Sequence, residues 1–241
     1  MPAERYYIEN PLIVHETVLL KDTEFHHLSR VMRTRVGETV ELVNGQGILA
    51  NAVVVDILKD RAALKIEETS NDVPRQMRVI LAQAIPKPNR LENILEKGTE
   101  LGVDEFWLFP SQHSLKKDFS ENQMERLQTV TISALKQCGR LILPQITLKP
   151  PLKEWADFQG AAFFGDTEET APLFLNVWKE ISLSSPLIFC VGPESGFTDD
   201  ETELLKTKGA HGVKLHQNIL RTDTASLVAL SLIEYWLLET Q

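Results

Sequence analysis

Cysteine is scarce in this sequence, and it takes no part in any spacing that would bind a metal. Two cysteines, Cys138 and Cys190, occur among 241 residues. Both lie in apolar surroundings, which predict two small buried hydrophobic side chains. Because no Cys and His residues stand at the spacing of a zinc site, we expect no metal.

Long apolar runs are also missing. No stretch reaches membrane-spanning length, and the segment MPAERYYIEN lacks the basic and apolar regions of a signal peptide. We therefore expect a soluble, cytoplasmic protein with no membrane partner. The composition, 43% hydrophobic and 24% charged, is typical of a globular chain with a real core and one or two domains.

Positive charge is in short supply, with 25 Lys and Arg against 34 Asp and Glu and a net charge of −9. This balance argues weakly against nucleic acid, because neutralising phosphates requires Lys and Arg. Residues 26–36, HHLSRVMRTRV, nevertheless carry three arginines and no acid. Since the distribution of charge matters more than its sum, Arg30, Arg33 and Arg35 are candidate phosphate contacts. The alternative is a solvated basic face.

The glycine-rich loops that bind phosphate are absent, since neither a Walker motif nor G-x-G-x-x-G occurs. Instead, an apolar stretch ends in GPESG at 192–196, followed by acids at 199–201. This order predicts a strand, a tight loop and a helix start, where α/β proteins commonly bind ligands. A carboxylate here would repel phosphate, so the loop suits a neutral or cationic adenosine derivative such as S-adenosylmethionine. Alternatively, Asp199 and Asp200 only favour the helix dipole.

A second stretch, HQNILRTDTA at 216–225, also follows an apolar strand and leads into a helix. Thr222 can serve as the helix cap, with Asp223 favourable in the first turn. Arg221, just before this cap, is a candidate ligand or substrate contact. The alternative for Arg221 is an ordinary surface arginine.

The hydrophobic pattern changes at a polar, proline-containing segment, 70–76, which we interpret as a linker. Residues 1–70 are rich in short β-type stretches, with a hairpin turn at 44–47 and a helix over 24–32. Residues 71–241 alternate strands with helices, so the chain is predicted to be a small β domain followed by an α/β domain. Strands are predicted at 78–84, 106–110, 161–165, 186–192 and 212–215.

Helix boundaries in the α/β region follow from capping residues. Capping-box spacing predicts three helix starts. The three pairs are Asn89 with Glu92, Ser120 with Gln123, and Thr198 with Glu201. The first helix is predicted to stop at Gly102 and the third near Gly209, and Cys138 falls on the buried stripe of the second. A last helix, from Thr224 to the end, is apolar on most of its circumference, so it is deeply buried or packs against another subunit.

Together the stretches GPESGFTDDE and ILRTDTA resemble the C-terminal signature of RsmE-type methyltransferases. These enzymes modify uracil N3 in 16S ribosomal RNA of the small ribosomal subunit and belong to the SPOUT superfamily. HHLSRVMRTRVGETVEL resembles the N-terminal PUA-like β-barrel of the same family. KPNRLENILEKGTELGV, KQCGR and the apolar final helix match in order and spacing. The resemblance implies a PUA-like RNA-binding domain at 1–70 and a trefoil-knotted SPOUT α/β domain at 71–241, which binds the cofactor and forms a homodimer.

The resemblance also implies site residues. S-adenosylmethionine would be bound by residues of three loops and the final helix. They are Phe164, Gly165, Gly192, Pro193, Glu194, Ser195, Gly196, Leu215, Asn218, Ile219, Leu220, Thr222 and Ala225. The predicted RNA contacts are His26, Arg30, Arg33, Arg35, Lys87 and Arg90. The predicted catalytic residues are Arg221, Arg140 and Glu194.

Chemistry gives these catalytic candidates different roles. Arginine stays protonated, so Arg221, with Arg140 as the second choice, would stabilise negative charge that develops on the uracil. Glu194 would act as the base if burial raised its pKa, and solvent is the alternative proton acceptor.

The sequence departs from the family pattern at a few positions. Ser195 stands where the family usually has Gly, and His216 and Asn218 stand where it usually has Gly and Arg. An Arg-Ser pair is replaced near Gln112 and His113, and a Glu is replaced by Lys136. We interpret these as divergence within one function. The alternatives are a SPOUT enzyme acting on another RNA base or a ribose 2′-hydroxyl, and a non-catalytic RNA-binding protein.

Overall fold

A computed structural model describes residues 4–73, 75–114, 118–178 and 186–239. Contacts divide the chain into two compact units. The first comprises 1–74 together with 132–143, and the second comprises 75–131 and 144–241. Within the described ranges, no helix combines the length and apolar character needed to cross a bilayer.

The first unit is built on a five-stranded sheet with the order β1-β3-β4-β5-β2. Its strands are β1 Arg5–Tyr7, β2 Thr17–Lys21, β3 Thr39–Val43, β4 Ile48–Ile57 and β5 Arg61–Asn71. The predicted hairpin turn at 44–47 is confirmed, because it joins β3 to its antiparallel neighbour β4. The side chain of Asn44 closes this turn by accepting the N–H of Gln46 at 2.9 Å.

The basic segment of the first unit is helical, as predicted over 24–32. Helix α1 spans Asp22–His26 and continues as a π-helical turn, His27–Met32. Leu28 anchors this turn in the core of the unit. Arg33 ends it in the left-handed conformation, with a φ of 56°.

The second unit is built on a six-stranded, fully parallel sheet with the order β11-β9-β10-β6-β7-β8. Its strands are β6 Val79–Ala84, β7 Glu105–Phe109, β8 Gln145–Leu148, β9 Ala161–Gly165, β10 Leu187–Val191 and β11 His211–Val213. The central strands β6 and β10 are buried along their whole length, as is typical of a parallel sheet covered on both faces. The chain leaves β6 and β10 toward opposite edges, which creates a topological switch point between them.

The remaining helices are α2 Pro88–Glu100, α3 Glu121–Cys138, α4 Phe174–Val177, α5 Asp199–Thr207 and α6 Thr222–Glu239, with a 3-10 turn at Leu152–Glu154. Helix α3 begins in the second unit, and its residues from Ile132 onward belong to the first. The alternation of strands and helices predicted from 71 onward is confirmed. Strand β8 and the short helix α4 were not predicted. Residues 240 and 241 of the predicted final helix lie outside the described residues.

Three local predictions are wrong. Cys138 is exposed, because it lies on the outer side of the last turn of α3. The Asn89–Glu92 capping box does not form, because Pro88 occupies the first helical position and Lys87 is the N-cap. Thr222 is the first residue of α6 rather than its cap. By contrast Cys190 is buried, and burial raises the pKa of its thiol.

Candidate cofactor pocket and active site

The carboxyl ends of β9, β10 and β11 open into one pocket of about 830 Å³. Residues 192–197, after β10, form one wall, and residues 214–220, after β11, form another. The pocket lies beside the switch point of the parallel sheet, where open α/β sheets bind their ligands. Its volume falls in the range of about 300–1,000 Å³ that is usual for small-molecule sites.

Every residue predicted to bind the cofactor lines this pocket, from Phe164 at the end of β9 to Ala225 in α6. The fold adds lining residues that no sequence motif marked. Among them are Asp166, Thr167, Glu169, Thr202 and Lys214. A polar residue after a strand is common, so nothing in the sequence distinguished these positions.

The charges around the pocket favour a cationic ligand. Asp166, Glu169 and Glu194 are lining carboxylates, whereas Lys214 is the one Lys or Arg among the lining residues. The nearby start of α5 is closed by the predicted capping box, which is confirmed. The capping side chains accept the backbone N–H groups of Thr198 and Glu201, and the acids at 199–201 would repel a phosphate at this helix start.

A buried hydrogen-bond network joins the first wall of the pocket to α6. Gln83, the polar residue of β6, is fully buried. Its Nε2 donates to Thr222 Oγ1 at 3.0 Å and lies 3.3 Å from the carbonyl oxygen of Gly192. Thr222 Oγ1 donates to the same Gly192 oxygen at 2.6 Å, and Ser226 Oγ donates to Gln83 Oε1 at 2.7 Å. Thr222, predicted to cap the helix, therefore fixes the start of the 192–196 loop instead.

Glu194 is held by groups from the start of α2. Its Oε1 accepts the backbone N–H of Lys87 at 3.0 Å and lies 3.3 Å from Arg90 Nε. Arg90 Nη1 also donates to Asp223 Oδ1 at 2.6 Å. The Glu194 side chain keeps 31% of its surface exposed, so the burial that a general base would require is not present. The guanidinium of Arg90, a predicted RNA contact, is engaged by two carboxylates.

The two arginine candidates lie in different units. Arg221 is exposed and stands between Leu220 and Thr222, which both line the pocket. Among the described residues, no ion pair or side-chain hydrogen bond engages its guanidinium. Arg140 is half-buried and belongs to the first unit. The structure therefore places Arg221 beside the pocket of the second unit.

The predicted RNA contacts of the first unit form an open basic segment. The side chains of His26, Arg30, Arg33 and Arg35 are exposed. In the part of the chain that the structure describes, none of the three arginines forms an ion pair. Lys87 is also exposed, but it lies in the second unit.

One departure from the family pattern, His216, stabilises one turn of the pocket wall with its side chain. His216 Nδ1 accepts the backbone N–H of Asn218 at 3.0 Å. Ser195 lies on the opposite wall and also lines the pocket. The wall 214–220 thus retains a local hydrogen bond of its own.

Two further departures form structural contacts. Gln112 donates its backbone N–H to Glu201 Oε1 at 2.9 Å, and Ser111 Oγ donates to Glu201 Oε2 at 3.1 Å. The capping residue of α5 therefore also holds the loop after β7. In the first unit, Lys136 Nζ pairs with Glu24 Oε1 at 2.5 Å.

Comparison with known proteins agrees with this geometry. An RNA methyltransferase domain model matches residues 73–234, and an RNA methyltransferase PUA domain model matches residues 20–67. The chain is 31% identical to ribosomal RNA small subunit methyltransferase E of Synechocystis sp., over 96% of this chain and 77% of that protein. It is 28% identical to the protein of the same name from Bacillus subtilis, over 96% of both chains.

A solved structure supports the same relationship. It is a ribosomal RNA small subunit methyltransferase E from Neisseria gonorrhoeae bound to S-adenosyl methionine. Its TM-score is 0.86 at 27% identity, and the match covers 98% of each chain. The predicted fold class, a PUA-like domain followed by a SPOUT-type α/β domain, is confirmed. The chain belongs to the RsmE-type RNA methyltransferase family.

Proposed function

We propose that this protein transfers a methyl group from S-adenosylmethionine to N3 of a uridine in 16S ribosomal RNA. The observation that carries the proposal is the pocket of about 830 Å³ at the carboxyl ends of β9, β10 and β11, in which carboxylates outnumber cations. Family membership supports the same reaction, because the relatives are named as methyltransferases of small-subunit ribosomal RNA.

The residues of the pocket fit this cofactor. Gly192 and the wall 214–220 line the pocket, and their backbone groups are proposed to hold the adenosine part. Asp166 and Glu169 add negative charge, which favours a cation over a nucleotide phosphate. When bound, S-adenosylmethionine supplies a methyl group carried on a positively charged sulfur.

The protein's own groups must orient the uracil and manage its charge. Uracil N3 carries a proton, and when that proton leaves, negative charge spreads onto O2 and O4. Arg221, exposed beside the pocket, offers paired donors for this charge. Glu194 is occupied by Lys87 and Arg90, so solvent is the proposed proton acceptor.

Calorimetry and mass spectrometry test the proposal directly. We expect the full-length protein to bind S-adenosylmethionine well below millimolar concentration and to methylate one uridine of small ribosomal subunits from a strain lacking the activity. Gly192→Val is a control that disturbs the pocket wall. A Cβ at position 192 would already lie 3.0 Å from the backbone nitrogen of Phe197, so this variant should lose affinity for S-adenosylmethionine. Tight binding of ATP or NAD in place of S-adenosylmethionine would contradict the proposal.

RNA affinity is proposed to reside in the basic segment of the first unit. Changing Arg30, Arg33 and Arg35 together to Ala should weaken RNA binding and reduce the slope of log K against log salt by roughly two to three. Cofactor affinity should stay unchanged, because these residues lie outside the pocket.

A charge-matched control distinguishes a specific contribution of this segment to RNA affinity from the general effect of losing three positive charges. Lys59, Arg61 and Lys65 lie in the same unit, and their combined change to Ala removes the same charge. Filter binding at several salt concentrations would compare the two variants. An equal loss of RNA affinity in both would contradict a specific role for the Arg30–Arg35 segment.

A homodimer formed through α6 is also proposed. Tyr235 and Leu238 on this helix are 63% and 64% exposed, although the helix is largely apolar. We expect light scattering at micromolar concentration to give the mass of a dimer, and the double change Tyr235→Glu with Leu238→Glu to give that of a monomer. A monomer mass for the unaltered protein would refute this proposal.

A further inference from the structure

We infer that Arg90 is a positioning residue for the cofactor pocket. It lies at the start of α2 and forms ion pairs with two residues that follow different strands. One is Glu194, in the loop after β10, and the other is Asp223, in the first turn of α6. Both the loop and the helix contribute residues to the pocket wall. We call this arrangement the Arg90 bridge.

The geometry of the bridge is specific. Nη1 of Arg90 lies 2.6 Å from Asp223 Oδ1, and Nε lies 3.3 Å from Glu194 Oε1. The side chains of Arg90, Glu194 and Asp223 are between 24% and 31% exposed. Solvent therefore screens the bridge less than it screens a fully exposed ion pair. Glu194 Oε1 also accepts the backbone N–H of Lys87 at 3.0 Å. The N-cap and first turn of α2 thus hold the loop through one backbone hydrogen bond and one ion pair.

The bridge complements the buried network of Gln83. That network fixes the Gly192 end of the loop through its carbonyl oxygen. The bridge holds the following part of the loop through the Glu194 side chain. A loop fixed at both places is ordered before the ligand arrives, which lowers the entropy lost on binding.

Simple electrostatics predicts the opposite change in cofactor affinity when Arg90 is removed. A cation near the pocket repels a cationic ligand, so removing Arg90 by charge alone would raise affinity for S-adenosylmethionine. A positioning role instead predicts that removal lowers affinity. It also predicts a similar loss for the product S-adenosylhomocysteine, which lacks the sulfonium charge, since loop order does not depend on that charge.

Calorimetry of the full-length protein with both ligands tests the inference, which relies on the proposed function only for the identity of the cofactor. We expect Arg90→Met to weaken both ligands roughly ten- to hundredfold, the equivalent of losing one or two charge-assisted hydrogen bonds. Arg90→Lys should recover part of this loss, because it keeps the charge but not the fork of donors. Hydrogen exchange of 193–197 should rise in Arg90→Met, while strands β6 and β10 stay protected.

Arg126→Met is the matched control. Arg126 also pairs with a residue of α2, Glu92, at 2.8 Å, but neither residue lines the pocket. This variant should bind both ligands as the unaltered protein does. Unchanged or tighter binding of S-adenosylmethionine by a folded Arg90→Met would overturn the inference, as would a loss confined to RNA affinity. Failure of the unaltered protein to bind S-adenosylmethionine would count against the proposed function instead.

Discussion

Arg221→Ala is expected to slow methyl transfer by roughly a hundredfold or more, while affinity for S-adenosylmethionine stays within a few fold. A donor aimed at developing negative charge is typically worth about 3 kcal/mol in the transition state. The ground-state uracil is neutral, so the same donor contributes little before the N3 proton leaves.

The position of Arg221 supports this separation of rate from binding. Its neighbours Leu220 and Thr222 line the pocket, but Arg221 itself does not. Its side chain is exposed, and in the described part of the chain no carboxylate pairs with it. Thr222 is anchored to the Gly192 carbonyl oxygen at 2.6 Å. Removing the Arg221 side chain therefore leaves the pocket wall in place.

Single-turnover methylation of small ribosomal subunits, together with calorimetry, measures both quantities. Arg221→Lys should restore only part of the rate, because lysine keeps the charge but lacks paired donors. Arg126→Ala removes another exposed arginine of the same unit and should leave the rate unchanged. A wild-type rate for Arg221→Ala, or a defect explained wholly by lost cofactor binding, would show that the proposed role is wrong.

Local sequence signals predicted those parts of the fold that depend on neighbouring residues. The Thr198–Glu201 capping box and the turn at 44–47 formed as expected, because each is completed within four residues. The Asn89–Glu92 pair had the same spacing but failed, since Pro88 begins that helix. A local pattern is thus decisive only where no stronger local signal competes with it.

Contacts between distant residues could not be predicted in this way. Gln83 meets Thr222 and Ser226 at separations of 139 and 143 residues. Arg90 meets Asp223 at a separation of 133 residues. The family resemblance implied an RNA contact for Arg90, and no local pattern indicated its pairing with Asp223. The pocket walls were predicted because strand-loop-helix order brings such loops to one edge of a parallel sheet. The trefoil knot implied by the family resemblance stays a prediction.

Gln83→Glu is expected to destabilise the protein by roughly 3–5 kcal/mol, the usual cost of an uncompensated buried charge. The substitution keeps the shape of the side chain but replaces its donor with an acceptor. In the native protein, Gln83 Nε2 lies 2.9 Å from the carbonyl oxygen of Ala84 and 3.3 Å from that of Gly192. A carboxylate oxygen there would face two carbonyl oxygens with no bulk solvent, since position 83 is fully buried.

Gln83→Glu should weaken cofactor binding as well as lower the stability of the fold. Repulsion at the Gly192 carbonyl oxygen displaces the start of the loop 192–196, so cofactor affinity should fall together with stability. Gln83→Leu should cost less, about 1–3 kcal/mol, because it leaves hydrogen-bonding groups unmatched but buries no charge. Adding Ser226→Ala to Gln83→Leu should cost less than the two single changes combined, because both partners of that hydrogen bond are then absent.

Thermal unfolding with and without S-adenosylmethionine measures these differences. For a chain of this length, 3–5 kcal/mol corresponds to a fall in Tm of roughly 6–20 °C. Gln159→Glu is the matched control, since Gln159 is exposed and its change should stay within about 0.5 kcal/mol. Equal Tm values for Gln83→Glu and Gln159→Glu would mean that the Gln83 network does not stabilise the loop. An additive cost for Gln83→Leu and Ser226→Ala would mean that the two side chains act independently, contrary to their 2.7 Å hydrogen bond.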